Sequence, residues 1–150
     1  MKEAMFWTLI SLLNWGAAGN DEQVIEPVVT SLSELSIDEI KSFEDNLAQK
    51  LYELDAKRYA KEIGDDAYIN DDEYFSTDGF LYSRCAVVAN GKELYNHVIT
   101  KPEDFPKDIE FEVLLTIAQK AYEKKTGSVW NYTSSINYET YSNESGWKSQ

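Results

Sequence analysis

The sequence predicts an all-α fold: a single compact multi-helix domain over residues 1–127, carrying an aromatic C-terminal arm over 128–150. Three observations predict it. Ser36-Ile37-Asp38-Glu39 forms a capping box, in which the serine and glutamate side chains satisfy each other's unpaired amides. It opens a stripe of Phe43, Leu47, Leu51 and Leu54 at three- and four-residue spacing. A second apolar segment holds Phe80, Leu81, Val87 and Val88 and ends at Asn90-Gly91, a left-handed helix stop. A third stripe, Val113, Leu114, Ile117, Ala118, Ala121 and Tyr122, runs up to Gly127.

In chain order, the first helix is expected over about 4–15, with Phe6, Leu9, Ile10 and Leu13 on one face. That apolar run resembles a signal peptide, with Ala17-Ala18-Gly19 as a cleavage site. Glu3 cancels Lys2, however, and Thr8 and Ser11 interrupt it, so a mature amphipathic helix and a cytoplasmic protein are expected. Asp21 caps a second helix carrying Val24, Ile25, Val28 and Val29, which Pro27 should shorten, bend or delay. The capping box starts a helix from 37 to about 54, continuing through Tyr59 and Ala60 to Gly64. Asp65 to Ser76 reads as a polar loop. A helix from Thr77 or Asp78 follows, with Asp78 at the positive end of its dipole; a strand through Cys85–Val88 is the competing reading. A short helix over about 93–99 leads to a loop with Pro102 and Pro106, and the last strong helix is expected over about 108–125. Lys120, Lys124 and Lys125 complement its negative end. The arm holds Trp130, Tyr132, Tyr138, Tyr141 and Trp147; it reads as aperiodic, its rings docked on the helices rather than left wet.

Charge narrows the function. The chain has 150 residues, 43% of them hydrophobic, and a formal net charge of −13. Such a balance makes nucleic acid and anionic membranes poor partners and attracts a basic one. The same acidity also serves solubility alone. A single cysteine, Cys85, excludes an internal disulfide, and a single histidine, His97, excludes a metal site needing two imidazoles. Neither a metal nor a cofactor is expected. Asp65-Asp66 and Asp71-Asp72-Glu73 lack the alternating ligands and central glycine of a helix-loop-helix calcium loop. Cys85 on an apolar helix is expected to be buried and inert, and His97 to lie on an exposed helix.

The segment from Glu62 to Gly91 is the most informative. Residues 62–78 contain Glu62, Asp65, Asp66, Asp71, Asp72, Glu73 and Asp78 and no lysine or arginine. Asp65, Asp66, Asp71, Asp72 and Glu73 are the candidate partner-binding residues. Arg84, one of two arginines, lies in the apolar segment beyond them. A buried cation needs a carboxylate or carbonyl partner, so a structural pair of Arg84 with Asp72 or Asp78 is expected; substrate binding is the alternative.

Phe6-Trp7 with Leu9-Ile10, Leu35 with Glu39-Ile40 and Phe43, and Asp71-Asp72 before Phe80-Leu81-Tyr82-Ser83-Arg84 together resemble the bacterial family called domain of unknown function 4240. The similarity extends to Val87–Gly91, Phe105–Asp108, Glu139–Asn143 and Gly146-Trp147. Many members carry a Gly-Cys-Ser-Asp-Asp-like run where this chain has Ile69-Asn70-Asp71-Asp72. The resemblance implies one helical domain and no agreed activity. The leading expectation is a non-enzymatic acidic protein-binding domain, in particular an immunity protein covering a basic toxin surface. The alternative is a regulatory or accessory domain binding a small ligand between helices, with an unrecognised hydrolase third.

Overall fold

The computed structural model describes residues 1–148, and these contain helices, turns and loops with no strand. The last two residues of the expected arm, 149 and 150, lie outside the described residues.

Helix α1 (Glu3–Ile10) buries Phe6, Trp7, Leu9 and Ile10. It stops earlier than its apolar pattern suggests, because the backbone amide of Asn14 donates to the Val24 carbonyl at 2.9 Å and draws the chain toward the next helix. Asn20, rather than Asp21, caps α2 (Asp21–Ser33), its side chain accepting from the Gln23 amide at 3.2 Å. Asp21 instead supplies first-turn negative charge. Pro27 sits inside α2 without ending it. An interior proline costs about 3 kcal/mol or more, and the buried stripe Val24, Ile25, Val28, Val29 and Leu32 offsets it.

Ser36 accepts from the Glu39 amide at 3.1 Å and starts α3 (Ile37–Glu53). The chain breaks helical geometry at Leu54–Ala56 before a single turn, α4 (Lys57–Ala60). Ser76 caps α5 (Thr77–Ala89), which buries nine residues from Phe80 to Ala89 around its whole circumference and is the central helix. Gly91, at φ 105°, leads into α6 (Lys92–Thr100).

The last long helix, α7 (Ile117–Thr126), starts well after residue 108. Asp108 has a φ of 58°, and its amide donates to the Ile63 carbonyl at 2.8 Å. Phe111, at φ −150° and ψ 64°, donates its amide to the Tyr82 carbonyl at 3.0 Å. These cross-links hold the chain against the turn after α4 and against α5 until a 3-10 turn, Glu112–Thr116, turns it into α7. Gly127 at φ 70° closes α7 in the left-handed conformation.

α7 packs along α2, and α3 packs on α5 and α7. Lys124 pairs with Glu26 at 3.2 Å, and Lys120 pairs with Glu22, lacing α2 to α7 across their exposed edge. Beyond Gly127 the chain is extended, and from 130 to 140 the even-numbered residues face the helices while the odd-numbered ones face solvent. A short helix, α8 (Glu144–Trp147), ends it.

The α3 cap gives a direct check. Ser36→Ala removes the acceptor for one α3 amide and should lower unfolding free energy by about 1 kcal/mol, measured by urea titration with an unchanged slope.

Candidate functional site

Three groups of side chains are candidates: the acidic loop, a pair of buried charges behind it, and a cleft under the arm. The loop from Gly64 to Ser76 is anchored at its base. The Asp65 amide donates to the Asp108 side chain at 2.8 Å, and the Tyr68 amide donates to the Ala60 carbonyl at 3.0 Å. Gly64 has a φ of 114°, and a Cβ there would collide with the Asp108 side chain. The Tyr68 and Phe75 rings meet edge-on at 5.6 Å, and each also contacts Trp147. Asn70 folds its side chain onto the Asp72 amide at 2.8 Å, forming a local turn. On this frame Asp65, Asp66, Asp71, Asp72 and Glu73 are all exposed. Asp71 accepts from the Tyr68 hydroxyl. Two apolar side chains stand out among them: Ile69 is 70% exposed and Tyr74 is 90% exposed.

Arg84 is 0% exposed, and its partners correct the expected ion pair. Nη1 donates to the carbonyls of Leu51 at 2.9 Å and Tyr138 at 2.8 Å, and Nη2 donates to the Thr140 hydroxyl at 3.0 Å. The guanidinium also lies over the Phe80 ring, 4.6 Å from its centre, while Nε is buried without an acceptor. Neither Asp72 nor Asp78 is among its partners. Asp72 stays out on the loop, and Asp78 sits in the first turn of α5, where it meets the helix dipole.

The carboxylate that matters to Arg84 is one that the sequence did not flag. Asp55, at the break after α3, is also 0% exposed. It accepts from the amides of Tyr141 at 3.2 Å and Asn143 at 2.9 Å, and from the Trp147 indole at 2.8 Å. Burial pulls the Arg84 pKa down, and the charge on Asp55 pushes it back up. Both buried charges therefore spend most of their hydrogen bonds on the arm, Leu51 of α3 being the exception. The fit is close: a Cβ on Gly146 would lie 2.6 Å from the Asp55 carbonyl oxygen.

The cleft lies between α3, the start of α7 and the extended arm. Its volume is about 510 Å³, and Glu44, Gln119, Trp130, Tyr132, Tyr138 and Glu139 line it. Glu44 is 7% exposed. Burial, with a smaller contribution from Asp45, raises its pKa from 4.5 to about 7. Tyr132 turns its hydroxyl away to Asp45, at 2.7 Å from Oδ1.

The other reactive side chains, Cys85 and His97, lie in different settings. Cys85 is buried and its thiol is pushed up to about 12. His97 meets Asp104 at 2.6 Å on the exposed face of α6. Among the described residues no group of three or more metal-ligating side chains could hold an ion, and no helix is long and apolar enough to cross a membrane.

The family described as a protein of unknown function, DUF4240, matches residues 1–124. The chain belongs to this family. Its DUF4240 segment includes the Phe-Trp opening, the acidic loop, α5 and Glu44. The arm from residue 128, including Glu139–Asn143 and Gly146-Trp147, lies beyond the match, so the similarity is shorter than those residues suggested. No curated protein and no solved structure matches the chain.

Two expectations follow. Arg84→Ala leaves the Leu51 and Tyr138 carbonyls without their guanidinium donor and removes a positive charge that interacts with Asp55. At about 1–3 kcal/mol per unsatisfied group it should cost about 3–5 kcal/mol; Arg84→Lys, lacking the planar fork, should recover little of it in the same denaturant titrations. Glu44 predicts a pH effect. Its folded pKa of about 7 lies above the free value of 4.5, so the folded chain holds this proton more tightly than the unfolded one. Its contribution is most favourable below about 4.5 and is lost as pH rises through about 7. Glu44→Gln should therefore be more stable than the parent at about pH 8, by about 1–3 kcal/mol, with the gap closing toward pH 4.5. A gap of constant size in paired melts would show that the buried charge is not its cause.

Proposed function

We propose that this DUF4240 protein is a non-enzymatic binding domain that engages a basic protein through its 64–76 loop. The observation that carries the reading is the pairing of charge with exposed apolar area. Ile69 and Tyr74 project from a loop whose five carboxylates, Asp65, Asp66, Asp71, Asp72 and Glu73, have no cation within 62–78. Carboxylates of one sign speed the approach of a basic surface. A tyrosine and an isoleucine held in the open supply the anchors that burial converts into affinity. The loop base is pinned by Gly64, Tyr68 and Phe75, so less ordering entropy opposes binding.

An immunity protein that neutralises a basic toxin is the specific form of this reading; the acidic loop supports it, and a toxin gene beside this one would add to that support. Isolation of the inert Cys85 from His97 supports the non-enzymatic part.

The reading is tested by affinity capture from the native cell at low salt, followed by binding of the purified partner to a double variant. Ile69→Ala with Tyr74→Ala should weaken that partner at least about a hundredfold, as loss of two anchors does. Melting should stay within about 0.5 kcal/mol of the parent, since both side chains are exposed. Recovery of no basic protein, or a partner indifferent to both substitutions and to salt, would sink it.

A further inference from the structure

Glu44 is a buried acid beside the arm. It sits on α3 one residue after the core Phe43, and it reaches the cleft that the arm closes over. It forms no hydrogen bond and no ion pair with any described residue. A carboxylate removed from water without a partner is costly, and pairing it with a cation recovers that cost. Lys41, one turn earlier on α3, does not supply this partner; its ammonium lies over the Tyr132 ring, 5.5 Å from the centre. That contact shows the same aromatic ring already receiving a cation.

We propose that this cleft binds a small organic cation of the alkylammonium class, with Glu44 as counter-charge and the Trp130, Tyr132 and Tyr138 rings as its walls. Aromatic faces attract cations, most strongly where water is excluded. The cleft, at about 510 Å³, falls in the range of about 300–1,000 Å³ typical of small-molecule sites. Glu139, at the rim, adds a second negative charge, and none of the side chains lining the cleft is basic. An anion would meet repulsion from both carboxylates, and a neutral ligand would leave Glu44 unpaired. The net charge of −13 concentrates cations around the whole molecule. This site lies on the arm side of α3, and its occupancy does not depend on the 64–76 loop.

Binding needs ionised Glu44, so affinity should rise with pH. The groups that share its surroundings are Lys41 and Asp45 on α3, Cys85 from α5, and Tyr132, Tyr138 and Glu139 from the arm; α7 contributes the uncharged Gln119. Glu44 is poised to change charge near neutrality, at about 7.

Calorimetric titration of the full chain with choline, with n-butylammonium and with the neutral choline isostere 3,3-dimethyl-1-butanol tests the proposal. One or both ammonium probes should bind, and the isostere should bind at least about tenfold more weakly, the scale of a desolvated cation–aromatic contact with its counter-charge. Affinity should increase from about pH 6 to about pH 8 and level off above. Glu44→Gln, with a parent-like circular dichroism spectrum, should lose at least about tenfold in affinity, whereas the Ile69/Tyr74 double variant should bind as the parent does, separating this site from the loop. The probe and pH comparisons use the parent chain and stand whether or not the Glu44 variant folds. Failure of both ammonium probes to bind, equal binding of the neutral isostere, a flat pH profile, or full binding by a folded Glu44→Gln would each overturn it.

Discussion

Arg84 and Asp55 impose the constraint on which the rest of the structure depends. Each is a charged side chain with no exposure, and burying a charge is costly unless hydrogen bonds replace the lost water. The helices alone satisfy only a part: Leu51 offers one carbonyl to Arg84. The remaining partners come from the arm, as the Tyr138 carbonyl and Thr140 hydroxyl for Arg84, and as two amides and the Trp147 indole for Asp55. The helical body is thus electrostatically incomplete until the arm docks. The charge on Asp55 favours the ionised form of Arg84 against the cost of its burial. In the arm, the Tyr138 carbonyl and the Tyr141 and Asn143 amides are committed to side chains of the core.

Everything downstream inherits this. Docking brings Trp147 against Tyr68, Phe75 and Phe80, which steadies the base of the acidic loop. The same docking lays Trp130, Tyr132 and Tyr138 over α3 and closes the cleft above Glu44. Loop and cleft lie on different parts of the surface, yet both are shaped by one segment held by two charges.

The helical body was legible because its signals are local. Ser36 and Glu39 lie within one turn, and the stripes of α2, α3 and α5 repeat within a few turns. What escaped depends on partners distant in sequence. The delayed start of α7 follows from hydrogen bonds linking Asp108 to Ile63 and Phe111 to Tyr82, which no periodicity records. Asp55 looks like a polar residue at a helix end, and only the arm, more than eighty residues later, makes it buried. Glu44 borders the α3 stripe for the same reason. The arm did carry a usable signal: Trp130, Tyr132, Ile136 and Tyr138 fall at even positions, the two-residue alternation of a half-buried extended segment. A period of two is invisible at helical spacing. Ile69 and Tyr74 were also readable as apolar residues inside an acidic loop, but their exposure is a tertiary fact.

The distribution of acid separates two uses of negative charge in one chain. Carboxylates on the loop remain solvated, so they raise the local potential at little cost in stability and shape encounter more than affinity. Glu44 is the opposite case. Its burial lifts its pKa to about 7, which marks free energy withheld from the folded state until a positive charge arrives. Arg84 and Asp55 show how the same fold treats buried charge whose role is internal: it surrounds them with hydrogen-bond partners. Glu44 receives none, although Gln119 and Tyr138 line the same cleft and Tyr132 turns its hydroxyl to Asp45. A fold that supplies hydrogen-bond partners to two buried charges from its arm, and leaves a third facing open space in an aromatic cleft, has its unmet demand for positive charge concentrated at Glu44.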